Sequence, residues 1–159
     1  MIYELLIISW WINRHDILNI MTLISKLQNF DLISFIEKKQ QIYDKIPIFN
    51  FSRFPEHKNS ETDEIELTIS HKEKPGQNFI HLNIKANLLL KCFRCLEIMN
   101  TAVTIDQSYE LVNQFTESDR HTIESIQIKL TDNFNLLEFI EDEMLLEIPS
   151  SPKHDNNCI

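Results

Sequence analysis

The run Leu88-Leu89-Leu90-Lys91-Cys92-Phe93-Arg94-Cys95-Leu96-Glu97 decides how the rest of the chain is read. An apolar strand enters a Cys-x-x-Cys, and a second strand-like run leaves it. Two cysteines at this spacing can turn both sulfurs towards one tetrahedral ion. Arg94 between them favours the thiolate forms by placing a positive charge nearby. The remaining cysteine is Cys158, four residues after His154, so the C-terminus offers a second half-site of the form His-x-x-x-Cys. Cys92, Cys95, His154 and Cys158 therefore form a candidate ligand set, with zinc as the ion that thiolates and imidazole suit best. Asp155 is placed to orient the His154 ring. Two other readings stand beside this one. The thiols can be inert small apolar side chains, or Cys92 and Cys95 can be a thiol-redox pair, although that motif normally opens a helix within a βαβ unit.

Outward from this motif, period-two alternation predicts strands on both sides. Ile80, Leu82, Ile84, Ala86, Leu88 and Leu90 share one face, and the same parity carries Cys92 to the core side. With Ile65, Leu67 and Ile69, and a turn around Pro75-Gly76, this strand makes an antiparallel hairpin. A third long strand is expected from about Ala102 to Phe115, a shorter one from Ile123 to Leu130, and an edge strand over Ile46–Phe51. Helical spacing is expected between about Asp16 and Gln28, and Asp31 caps a second short helix. Asn135 caps a last helix over Leu136–Glu147, with Glu138 as its capping-box partner. Leu136, Leu137, Ile140, Met144 and Leu145 form its buried stripe, and Glu138, Glu141, Asp142 and Glu143 an acidic outer face. The expected fold class is α+β: an antiparallel sheet of four to five strands, N-terminal helices, and the acidic helix packed on the sheet.

The chain has 159 residues, enough for one domain with a sizeable core. It divides into an apolar extension over 1–20, a domain over 21–149 and a polar tail over 150–159, and Met21 is a candidate alternative start. The apolar run Met1–Trp11 is about half the ~20 residues needed to cross a bilayer, and it lacks a basic leader and a cleavage site. A cytoplasmic location with no membrane partner is the expectation. The net charge of −9 argues against broad coating of nucleic acid, which requires clustered cations. An odd number of cysteines does not fit a secreted disulfide framework. There is no phosphate loop, HExxH or nucleophile elbow, so neither an enzyme nor a small-molecule substrate is expected.

Two stretches in order carry a family resemblance. Leu90–Glu97, with its Cys-x-Arg-Cys, is followed by the acidic helix Leu136–Glu147, a proline, and a tail holding His154 and Cys158. The chain resembles the bacterial YceD family, the large ribosomal RNA subunit accumulation proteins, from roughly Leu32 to Cys158. The resemblance implies a ribosome-biogenesis role in synthesis, processing or stability of large-subunit (23S) ribosomal RNA, without a known catalytic activity. Partners are then ribosomal or ribosome-assembly proteins, met through Arg94 and the acidic residues Glu138, Glu141, Asp142 and Glu143, with direct ribosomal RNA contact also open. A thiol-redox protein and a metal-free protein-binding adaptor are the alternatives.

Overall fold

The computed structural model describes residues 18–54, 64–115, 126–154 and 158. A helix over 18–28 (α1) leads into α2 (Leu32–Glu37), β1 (Gln41–Pro47), a 3-10 turn (Ile48–Asn50), β2 (Glu64–Lys74), β3 (Gln77–Lys91), β4 (Ile98–Val112), β5 (Ile126–Lys129) and α3 (Leu136–Glu147). The strands form one sheet in the order β1-β2-β3-β4-β5. This is the α+β fold that the sequence predicts.

Parity holds through the two longest strands. They pair antiparallel without a slip from Asn78↔Leu111 to Lys91↔Ile98. Ile80, Leu82, Ile84, Ala86, Leu88 and Leu90 of β3 are buried together with Val103, Ile105, Tyr109 and Leu111 of β4. The alternate positions His81, Asn83, Lys85 and Asn87 lie on the other, more open face. Each fully buried leucine or isoleucine here contributes about 1.5–3 kcal/mol relative to exposure, which fixes the register. Leu27, Leu32 and Phe35 of the first two helices, and Leu136, Leu137, Ile140 and Met144 of α3, complete the same apolar cluster. Tyr109 meets Phe139 edge-on at 4.9 Å, joining β4 to α3.

The caps are as expected. The Asp31 carboxylate accepts the Ser34 N–H at 2.8 Å. Asn135 Oδ1 accepts the Glu138 N–H at 3.2 Å, and its amide donates back to the Glu138 carboxylate at 2.9 Å. The β2–β3 turn is only Pro75-Gly76, tighter than expected, with Gly76 at φ +76°. That is the value a type II turn needs after a proline.

Three expectations are corrected. The edge strand lies earlier, at Gln41–Pro47, and Ile48–Asn50 turns instead. Pro47 makes the last pair, with Glu64, and the next N–H groups turn inward, Phe51 donating to the Ile48 carbonyl at 3.0 Å. β5 runs parallel to β4, from Tyr109↔Ile126 to Val112↔Lys129, so the sheet is mostly rather than wholly antiparallel. The expected loops Pro55–Asp63 and Thr116–Thr122, the start of the strand expected from Ile123, and most of the 1–20 extension lie outside the described residues.

The third correction concerns the acidic face of α3. Glu141 is buried, at 6% exposure. Its carboxylate accepts the Arg53 backbone N–H at 2.6 Å and the Arg53 Nε at 2.9 Å. The same guanidinium reaches the Asp142 carboxylate and the Glu138 carbonyl. Glu141 first, and then Asp142, hold the Arg53 pKa above its ordinary value. Glu143 is half-buried beside Tyr109. Burial, followed by that carboxylate, keeps the phenol protonated far above its usual range, although the hydroxyl has no hydrogen bond of normal geometry among the described residues. Glu141 and Glu143 therefore turn inward, while Glu138 and Asp142 remain exposed on the outer face of the helix.

This arrangement predicts different outcomes for two adjacent charge reversals. Glu141→Lys should lower the thermal midpoint by about 6 °C or more, as expected for a loss of about 2 kcal/mol in a chain of this size. Asp142→Lys, at a half-exposed carboxylate, should move it by less than about 2 °C. Calorimetric scans of the two variants measure the contrast, and equal small shifts would contradict the buried placement of Glu141.

Candidate metal centre

The β3–β4 connection is the six-residue loop 92–97, which contains both cysteines of the central motif. Its backbone folds on itself. The Cys92 N–H donates to the Glu97 carbonyl at 2.8 Å, and the Leu96 N–H donates to the Cys92 carbonyl at 3.0 Å. Leu96 sits at φ +63°, left-handed backbone that normally favours glycine and costs a side-chain-bearing residue about 1 kcal/mol. The tail is fastened to this knuckle by the Phe93 N–H, which donates to the Pro152 carbonyl at 2.7 Å. That bond sets the direction in which His154 and Cys158 approach.

All four candidate ligands converge. The sulfurs of Cys92, Cys95 and Cys158 and a ring nitrogen of His154 lie within 4.8 Å of one another. Cys92 Sγ is 3.6 Å from Cys158 Sγ, and Cys95 Sγ is 3.5 Å from His154 Nδ1. A tetrahedral zinc with bonds of about 2.3 Å to sulfur and 2.0 Å to nitrogen requires ligand–ligand edges of roughly 3.5–3.8 Å. Two edges already fall in this range, so the donor set fits the ion without rearrangement of the fold. Cys92 is fully buried, while Cys95, His154 and Cys158 are half-exposed.

The electrostatics suit a cation. The backbone amide of Cys95 above all, then those of His154 and Arg94, donate towards the Cys92 sulfur. With the Cys158 thiol they outweigh burial and lower Cys92 to about 5. At Cys95 the Glu97 amide acts in the same direction, but burial and the neighbouring Cys92 and Cys158 sulfurs outweigh it and push the thiol up. Once one sulfur is ionised, its neighbours resist a second charge. A divalent ion removes that resistance, because it binds thiolates and screens them from each other.

An ion held by all four side chains would have no open coordination position and would staple the tail to the hairpin. The cluster is a poor dithiol redox site. The motif lies in a hairpin loop rather than at a helix start, and Cys92 is buried away from an incoming disulfide. The other polar constellation is on the open sheet face, where the His81 ring meets Ser108 Oγ and Asp106 Oδ1, each at 3.0 Å. These residues sit on the paired strands β3 and β4.

Asp155, expected to orient His154, lies outside the described residues. Arg94 is exposed on the knuckle. The residues that sequence reasoning missed are Arg53, the left-handed Leu96 and the Pro152 carbonyl. Arg53 had one signal, a lone cation between Phe51 and Phe54. The other two act through backbone geometry, which residue type does not announce.

Fold and site together define an α+β domain whose hairpin knuckle and C-terminal tail meet in a three-cysteine, one-histidine cluster. Residues 80–159, half of the chain, match the family described as large ribosomal RNA subunit accumulation protein YceD. The chain belongs to that family. No curated protein and no solved structure gives a significant match.

Cys92 supplies a test that requires no bound ion. Its folded value of about 5 lies below the ordinary thiol value of about 8.5. Its thiolate therefore contributes stability that is complete above about pH 8.5, shrinks as the pH falls, and vanishes below about 5. In metal-stripped protein, thiolate absorbance should show one sulfur titrating near pH 5, and Cys92→Ala should abolish that step. A first step above pH 8 would contradict the amide-lined pocket.

Proposed function

We propose that this protein is a non-catalytic, zinc-stapled ribosome-biogenesis factor that acts in the cytoplasm to support accumulation of large-subunit ribosomal RNA. One observation carries the reading. The family match over residues 80–159 covers most of β3 and all of the knuckle, β4, α3 and the tail, the elements that bring the four side chains together. The family description names accumulation of an RNA and no reaction, and a closed ligand set suits a scaffold rather than a catalyst. No helix among the described residues is long and apolar enough to cross a membrane.

Zinc would act here on folding rather than on chemistry. Cys92 and Cys95 belong to a hairpin loop, whereas His154 and Cys158 belong to a tail with little core of its own. An ion shared between them converts much of its binding energy into ordering of the tail. Loss of any one ligand should free the tail and leave the sheet folded, because the apolar cluster lies elsewhere.

The expected result is about one zinc per chain in protein purified without added metal, read by elemental mass spectrometry. Cys158→Ser and His154→Ala should reduce zinc to less than about a tenth while the far-ultraviolet spectrum stays unchanged. In cells depleted of the protein, the wild type should restore large-subunit particles on a sedimentation gradient, and Cys158→Ser should not. Metal-free wild type, or full restoration by the variant, would overturn the zinc-dependent role.

A further inference from the structure

The knuckle brings exposed apolar side chains and unpaired cations together. Phe93 is 72% exposed, Leu96 62% and Ile98 61%, placing three large apolar side chains in solvent at one end of the hairpin. Lys91, Arg94 and Lys153 are exposed around them. Lys91 pairs across the ladder with Ile98, and Lys153 follows the residue whose carbonyl receives the Phe93 N–H. Among the described residues none of these three cations forms an ion pair, as is also true of Lys72, Lys85 and Lys129 elsewhere on the surface, and Glu97 is the one exposed carboxylate of the 92–97 loop. Leu96 is held in a strained left-handed position with its side chain turned to water. A glycine there would relieve the strain.

We infer that this tip binds single-stranded RNA, with Phe93 stacking on an unpaired base and Lys91, Arg94 and Lys153 taking the flanking phosphates. The inference rests on the proposed role in ribosomal RNA accumulation and gives that role a contact surface. Charge selects the class of partner: unpaired cations on a chain of net charge −9 mark the place where an anion can approach. The exposed ring selects within that class. Aromatic and guanidinium planes bind splayed bases in loops and bulges, while duplexes hide their base faces. Three cations are too few to coat a duplex, and the remaining acidic surface repels one.

The salt dependence follows from the count of cations. About 0.7 counterions are released per phosphate contact on single strands, so three contacts give a log–log slope of about −2. The test uses the full-length, zinc-containing protein and a fluorescein-labelled, unstructured RNA of about ten nucleotides, read by anisotropy. Phe93→Ala should weaken binding at least tenfold, and Phe93→Leu nearly as much, because stacking rather than apolar area is lost. Phe93→Trp should retain affinity, and its added fluorescence should be quenched by RNA. Arg94→Ala should flatten the salt slope by about 0.7. Zinc content and thermal midpoint should be unchanged in all four variants, since these side chains are exposed. Absence of RNA binding, equal affinity for a duplex of the same length, or full affinity in Phe93→Ala would each overturn the inference. If the wild type leaves naked RNA unbound but joins pre-ribosomal particles, and Phe93→Ala no longer joins them, the tip docks a protein. RNA recognition would then be wrong, while the biogenesis role would stand.

Discussion

The uninterrupted register between β3 and β4 is the constraint on which the rest depends. From Asn78↔Leu111 to Lys91↔Ile98 each residue faces one partner, so the choice of buried face is made once and carried the full length. A one-residue slip would send Leu82, Ile84 and Leu88 to solvent and turn His81, Asn83 and Lys85 into the core. The same parity delivers Cys92 to the buried side at the end of β3 and leaves Phe93 pointing away. Ligand and exposed ring are thus separated by a single residue because strand geometry alternates them. The helices read the same face: α3 lays Leu136, Ile140 and Met144 against it, and the chain leaves α3 towards the knuckle.

The tail has a different kind of support. Its described residues, 150–154 and 158, add no strand to the sheet and are not among those of the apolar cluster. What holds it is one backbone bond from Phe93 to Pro152, together with the convergence of His154 and Cys158 on the hairpin cysteines. Such a segment has few contacts to offset the entropy of ordering, about 1–2 kcal/mol of backbone freedom per residue. An ion shared by four ligands is a sufficient source of that free energy, whereas two weak S–H contacts are not.

Much of this was legible in the sequence, for identifiable reasons. Alternation fixed β2, β3 and β4, because one face of each strand is apolar almost throughout. Asp31 and Asn135 announced the caps, and the cysteine and histidine spacing announced the four side chains that converge. The failures have equally physical causes. β1 was read too late because an edge strand with one solvated face carries Gln41, Tyr43 and Lys45 without an apolar signature. The direction of β5 depends on the path between strands, which periodicity does not encode. Glu141 was placed outward because it is charged, although it stands four residues after Leu137 and three before Met144, and so on the buried stripe. Its partner Arg53 lies 88 residues away, and only the fold brings them together.

With Glu141 committed to an internal contact, net charge becomes a poorer guide to partners. The chain is acidic on average, yet three unpaired cations lie near the aromatic ring that strand parity exposes. The central claim remains the centre beneath that tip, and X-ray absorption at the zinc edge of the purified protein tests it most directly. Three sulfurs at about 2.3 Å and one nitrogen at about 2.0 Å are predicted. Fewer than three sulfurs, or a shell dominated by oxygen, would show that the tail and the knuckle do not share one ion.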